Sequence, residues 1–311
     1  MILSSMQEYI CGSIKLLYEV TGDEVSITGF EGSDAKLSIP DYIEDHPVTS
    51  IAKKVFLGLK GLKKVSLPEK LSFVDDWAFS QCIHLTNVEF RGFFPSKTGR
   101  GIFEGCERIE NIAIKELMDD DVSFLLAAVV KRLSAQYLMD GSEIGSEDWY
   151  GKWDLALTSF LLQSDFEGYS DRALCGEEDI SYDGIGSVDG ELLGENAAYV
   201  RQVGKNKSFL CLLRLRHDKY LSDKTKEVLK SYIIKHSKGA TNEAAWFALK
   251  EDLKNDTEYF KVYMDVVNPD MDMFNSMLLD MGEELATAKA YLISLRPEKN
   301  KTDAFFDDLI L

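Results

Sequence analysis

The residues best suited to acid–base or metal chemistry near neutral pH are His46, His84, His217 and His236, and they stand isolated from one another. No HExxH, GxSxG, Walker A or Cys/His metal spacing occurs anywhere in the chain, so the geometry that a hydrolase, nucleotide-binding site or zinc site requires has no written counterpart. Asp75-Asp76 beside Trp77 reads as a charged edge. Asp119-Asp120-Asp121 stand before an apolar helical stripe and read as a helix start, where carboxylates meet free backbone N–H groups. A third acidic group, Glu177, Glu178, Asp179, Asp183, Asp189, Glu191 and Glu195, is interleaved with Gly184, Gly186, Gly190 and Gly194. It lacks the Asp-x-Asp-x-Asp-Gly spacing of a calcium loop, and Gly184-Ile-Gly186 lacks the strand-to-helix junction of a dinucleotide site. The stretch 176–195 therefore reads as an acidic loop, and the residues imply no catalytic group, no metal and no cofactor.

With chemistry unsupported, charge and pattern carry the reading. The 311 residues hold 35 Lys/Arg against 53 Asp/Glu, a formal charge of −18, which disfavours nucleic acid, since phosphate is met by a positive surface. A basic protein partner suits it better. Residues 1–116 are nearly balanced, with 13 Lys/Arg against 17 Asp/Glu, so the acidity is concentrated further on. Lys53, Lys54, Lys60, Lys63, Lys64 and Lys70 cluster within the balanced part and either coat a solvent edge or meet an acidic partner. No run of about 18 apolar residues is present to span a membrane, and residues 1–20 lack a secretory pattern. Five scattered cysteines without a CxxC pair suit a reducing compartment. The expectation is a cytoplasmic protein, or a cell-surface one if an upstream signal has been removed.

The strongest pattern lies between Ile51 and Val88. Ile51, Val55, Phe56, Leu59, Leu62 and Val65 recur as Val74, Ala78, Phe79, Cys82, Leu85 and Val88, each exactly one 23-residue step on, and again with one inserted residue as Ile102, Phe103, Cys106, Ile109 and Ile112. An apolar period of about 20–29 residues marks a leucine-rich repeat solenoid. Its strands are Leu37-Ser38-Ile39, Val65-Ser66-Leu67, Val88-Glu89-Phe90 and Ile112-Ala113-Ile114. Side chains alternate across a strand, so the aliphatics and Phe90 point inward and Phe56, Phe79 and Phe103 form a column. Two alternating runs around Gly22-Asp23, within residues 18–30, predict a hairpin that caps the first coil.

Ile39-Pro40, Asp45-His46-Pro47-Val48-Thr49-Ser50-Ile51, Leu67-Pro68, Trp77-Ala78-Phe79-Ser80-Gln81-Cys82 and Leu85-Thr86-Asn87-Val88 closely resemble the BspA-like leucine-rich repeats of bacteria. The resemblance covers residues 18–115. It implies a right-handed solenoid of three to four coils acting as a binding surface without shared catalytic residues; several family members are cell-surface adhesion proteins.

Past Lys115 helical spacing takes over. Val122, Leu125, Leu126, Val129, Leu133 and Tyr137 form one stripe, and Trp153, Leu157, Phe160 and Leu161 a second. Further helices are expected over 197–215, 223–236, 244–253 (capped by Thr241), 259–267 and 271–295. The fold class is α+β in two domains: residues 1–117, cap and parallel-β solenoid, and residues 118–311, an all-α helical-hairpin array of no recognised family. The expected function is non-catalytic protein–protein interaction with an unknown protein partner. A surface adhesin and an enzyme with a site between the domains are the alternatives. Parallel strands align their outward residues in rows: Lys36, Lys64, Asn87 and Asn111; Ser38, Ser66, Glu89 and Ala113; and a third begun by Arg91 and Lys115. The candidate partner-binding residues are Lys64, Glu89, Arg91, Ser66, Asn87 and Lys115, each expected to shift stability by no more than about 0.5 kcal/mol when exchanged.

Overall fold

The computed structural model describes residues 7–117, 119–133, 135–164 and 195–296. They fall into two compact units that part between Ala156 and Leu157. The acidic stretch 176–194 and residues 303–311, whose Phe305, Phe306, Leu309, Ile310 and Leu311 beside Asp303, Asp307 and Asp308 read as an amphipathic end, lie outside the described residues.

The first unit opens with an antiparallel meander, β1 (Gln7–Cys11), β2 (Ile14–Thr21) and β3 (Glu24–Gly32). Its turns use Gly12 and Gly22 at φ +62° and +65°, a region that glycine enters without steric cost. The expected hairpin is therefore present, and β1 extends it by a strand that the sequence reading lacked. β3 then pairs in parallel with β6 (His46–Ile51), which continues into β8 (Phe73–Val74) and β10 (Lys97–Thr98). The cap is thus the first part of a solenoid sheet. A short strand, β5 (Tyr42–Ile43), pairs antiparallel with β6.

The second sheet holds one strand from each of about four turns: β4 (Lys36–Ser38), β7 (Lys64–Leu67), β9 (Asn87–Phe90) and β11 (Asn111–Ile114), all parallel. Leu37, Ile39, Val65, Leu67, Val88, Phe90, Ile112 and Ile114 face the core as the alternation requires. Between the sheets Phe30, Phe56, Phe79 and Phe103 stack at successive centroid distances of 5.2, 4.9 and 5.7 Å. Cys82 and Cys106 form a second buried file, their thiols donating to the carbonyls of Phe56 and Phe79 at 3.2 and 3.1 Å. The repeat also fixes two left-handed backbone positions per coil: Lys54, Trp77 and Gly101 (φ +61°, +55°, +58°), and Gly58, Gln81 and Gly105 (φ +70°, +61°, +73°).

After β11 the chain enters α1 (Asp120–Ala128), whose N-cap is Asp119, accepting from the Asp121 N–H at 3.2 Å. The triple aspartate is the expected helix start. Val122, Leu125, Leu126 and Val129 are buried, but the stripe does not continue to Tyr137, which is 57% exposed. A π-turn over Val129–Leu133 and a 3-10 turn over Gln136–Met139 shift the helical phase there. α2 (Glu147–Leu162) buries Trp149, Tyr150, Trp153 and Leu157. α1 packs on β11, within the compact unit that runs to Ala156.

The second unit is built on α3 (Glu195–Arg216), against which α4 (Asp223–Lys235), α5 (Ala244–Phe247) and α6 (Glu258–Val267) pack; α7 (Met271–Asp280) and α8 (Ala286–Ser294) complete it. Eight α-helices thus follow the solenoid among the described residues. Two expectations change here. Thr241 lies in a 3-10 turn, and Glu243 occupies the α5 N-cap position. The expected helix 271–295 is two helices, broken where Met281 turns extended and Gly282 starts a 3-10 turn. Trp246 Nε1 and Lys250 Nζ both donate to Asp280 Oδ2, at 2.7 and 2.6 Å, closing α5 and its π-turn against the end of α7.

Phe79 has a ring on each side, so truncation leaves a cavity that neither neighbour can fill. Phe79→Ala is expected to cost about 3–5 kcal/mol by chemical denaturation; an unchanged midpoint would remove Phe79 from the core.

Candidate interaction face

Strand pairing puts the outward residues of β4, β7, β9 and β11 in register: Lys36, Lys64, Asn87 and Asn111 side by side, and Ser38, Ser66, Glu89 and Ala113 beside them. Both rows are those expected from laying the four strands side by side, with steps of 28, 23 and 24 residues between successive strands. Lys64, Glu89 and Lys115 are exposed, while Ser66, Asn87 and Arg91 are half-buried. The structure brings Ser66, Glu89 and Arg91 into one network and leaves Lys64 and Lys115 at its sides.

Arg91 follows β9 and reaches back over two coils. Its Nη1 donates to Ser66 Oγ at 2.8 Å and to Ser38 Oγ at 3.3 Å; its Nη2 donates to the Ile39 carbonyl and to Asp41 Oδ1 at 2.8 Å. Nε also donates to Asp41 Oδ1, at 3.2 Å. Ser66 Oγ in turn donates to Glu89 Oε2 at 2.8 Å, and the Glu69 N–H donates to Asp41 at 2.7 Å. The guanidinium therefore laces three coils through side chains and backbone. The next residue must be glycine, because a Cβ on Gly92 would meet the Glu69 carbonyl oxygen at 1.9 Å. Arg91 is thus a bonded side chain and not a free outward one: the fork is 20% exposed and shares its charge among five acceptor contacts.

Partial burial raises the Asp41 carboxyl, but the bonds from Arg91 and Glu69 and the charges of Arg91 and Lys115 outweigh it and hold Asp41 below the usual carboxylate range. A neighbouring row was not anticipated. Tyr42, Lys70 and Phe93 each lie two residues past Pro40, Pro68 or Arg91; Tyr42 and Phe93 are 47% and 66% exposed, and Lys70 Nζ sits 5.3 Å over the Tyr42 ring. That constant offset was the available signal. On the turn side, Trp77 carries Lys53, Lys54 and Arg100 over its ring at 4.9, 5.4 and 5.3 Å, and its Nε1 donates to Glu104. Lys53, Lys54 and Lys70 are thus engaged on aromatic rings.

His46 and His84 are half-buried, His217 Nε2 lies 3.0 Å from Tyr259 Oη, and His236 stacks on Tyr232. Among the described residues no three His, Cys, Asp or Glu side chains are grouped to hold a metal ion, and no helix is long and apolar enough to cross a membrane.

Two outcomes follow for the face. Arg91→Ala should cost about 1–3 kcal/mol, since it frees several partly buried acceptors, whereas Lys64→Ala should stay within about 0.5 kcal/mol; equal effects would deny the lacing. Because the folded-state pKa of Asp41 is depressed, its contribution is complete above the unfolded value of about 3.9 and is lost as pH falls through the folded value. The stability gap between wild type and Asp41→Asn should therefore narrow from about pH 6 to about pH 3, and a constant gap would contradict the pairing.

Comparison with known proteins agrees with the geometry. Residues 35–123 match the BspA type leucine rich repeat region in six copies. No curated protein matches the chain. Among solved structures it is similar to a leucine rich cell surface protein from Faecalibacterium prausnitzii A2-165, with 25% identity and a TM-score of 0.30 over 34% of this chain and 30% of that one. It is also similar to the T. pallidum Leucine Rich Repeat protein, with 20% identity and a TM-score of 0.27 over 34% of this chain and 65% of that one. The chain thus spans less than two thirds of the length of either protein. The stacked coils, the register and the family match agree: residues 35–123 are a BspA type leucine rich repeat region.

Proposed function

We propose that this protein is a non-catalytic interaction scaffold whose protein partner sits on the β4–β7–β9–β11 face. Leucine-rich repeats suggest binding of this kind, and the observation that carries the reading is the aligned surface itself. Ser38, Ser66 and Ala113 keep its centre low, Lys64, Glu89 and Lys115 stand out beside it, and Tyr42 and Phe93 add exposed aromatic area at one margin. Such a surface is preformed, so little side-chain order is lost on docking, and exposed aromatics next to charge are what interface centres favour. Arg91 is the brace beneath the face rather than a free contact, and the low centre lets another chain approach closely.

The described cysteines Cys11, Cys82, Cys106 and Cys211 are unpaired, which supports a cytoplasmic setting over the cell surface. Fractionation of native cells decides between the two: recovery with the envelope would favour the adhesin-type reading.

The binding face is tested with Lys64→Glu, Asn87→Lys and Lys115→Glu combined, leaving Arg91 intact. Each should change stability by no more than about 0.5 kcal/mol, while capture of the native partner from cell extract falls by about 30-fold or more, the scale of losing one strong contact. Retention of capture by this variant, with loss upon charge reversal in the helical unit, would move the interface to the helices.

A further inference from the structure

On its turn side each coil is tied to the next by three backbone hydrogen bonds two residues apart. The N–H groups of Lys54, Phe56 and Gly58 donate to the carbonyls of Asp76, Ala78 and Ser80 at 3.0, 2.8 and 2.8 Å. Trp77, Phe79 and Gln81 repeat this onto Arg100, Ile102 and Glu104 at 2.9, 2.9 and 2.7 Å. In the last coil the corresponding donors are Gly101, Phe103 and Gly105. Their N–H groups have no acceptor among the described residues. α1 and the turns after it cover this end of the solenoid without supplying carbonyls in register.

Two further features of the repeat stop at the same place. The phenylalanine column ends at Phe103, and beside it lies a cavity of about 270 Å³, lined by Ile102, Phe103, Val129, Val130, Met139 and Gln136 among others. The thiol file ends too: the Phe56 and Phe79 carbonyls each accept both a backbone N–H and a cysteine Sγ–H, whereas among the described residues the Phe103 carbonyl accepts only the Cys106 N–H. One coil boundary thus leaves three donors, an acceptor site and a space of mixed lining, apolar at Ile102, Phe103, Val129 and Met139 and polar at Glu104 and Gln136, unfilled. All of them are features that the preceding coils fill with a single kind of segment.

The geometry points to this end as a docking site for an extended segment of a partner protein that imitates the repeat's own turn. Alternate carbonyls meet Gly101, Phe103 and Gly105, and an aromatic side chain following a small residue, as in Ala78-Phe79, enters the cavity and continues the column. This is strand-addition chemistry, in which backbone bonds supply affinity and one pocket supplies specificity. The occupant is defined by continuity with the coil-to-coil contact already present. Gly101 and Gly105 are half-exposed and so open to a peptide carbonyl, while Phe103 is 2% exposed, and a buried N–H without a partner carries a cost that a carbonyl reaching it through the cavity would remove. The site is separate from the sheet face and stands whether or not that face binds.

The test uses the full chain and a fluorescein-labelled synthetic peptide with the sequence of residues 75–81, the segment that fills this role one coil earlier. Anisotropy should show saturable binding below about 1 mM, at least about tenfold weaker for the peptide with alanine in place of the residue-79 phenylalanine. Amide exchange at Gly101, Phe103 and Gly105 should slow upon peptide addition, while Lys54, Phe56 and Gly58, already bonded, stay unchanged. Val130→Trp, a half-buried wall residue, should abolish binding by filling the cavity; if that variant loses its near-ultraviolet dichroism, exchange on the unaltered chain decides alone. No saturable binding, equal binding of both peptides, or protection that misses these three amides would each overturn the proposal.

Discussion

The fold depends on one interaction repeated along its axis: an amide of one coil donating to a carbonyl of the next. Because these bonds recur coil after coil, an inserted residue must be absorbed outside the ladder: the register is 23 residues where β7 pairs with β9 and 24 where β8 pairs with β10, so the third coil gains its residue between Phe90 and Lys97. The same geometry demands left-handed backbone at two positions per coil. Glycine takes some of them, but Lys54, Trp77 and Gln81 do not escape a penalty of roughly 1–2 kcal/mol each. At Trp77 that cost is offset by the cations over its ring and its bond to Glu104. Strain and aromatic–cation contacts at the solenoid edge are two sides of one requirement.

The solenoid was legible because it is periodic. A 23-residue step places Phe56 beneath Phe79 and Lys64 beside Asn87 with no further information, and the structure has both. The cysteines at positions 82 and 106 read as small buried residues, and they are. What periodicity cannot express is contact between unlike positions. Arg91 was read as an outward residue of one strand, yet its partners lie 25 to 53 residues earlier. No spacing rule links an arginine after one strand to an aspartate after the strand two coils back.

The helical unit failed differently. Its helices were found from apolar spacing, and their ends were misjudged where local and tertiary demands compete. A run of methionines and leucines over 271–295 supports one helix, but Gly282 and the tie of Asp280 to Trp246 and Lys250 divide it. Likewise α1 gives way to a π-turn at Val129. Arg214, wholly buried, donates to the His217 and Lys219 carbonyls that end α3, so a charge that a hydropathy scan places outside is a plug for orphan carbonyls within.

A stack of repeats behaves as a one-dimensional chain in which each unit is coupled only to its immediate neighbours, so its ends can fray while the middle holds. Arg91 adds a coupling between second neighbours, because it belongs to the third strand of the sheet and grips residues around the first. Opening the coil at the capped end then requires releasing a side chain anchored two coils away. In so short an array that single reach joins most of the coils into one cooperative element, which lets a solenoid of only about four turns lose or keep its structure as a whole.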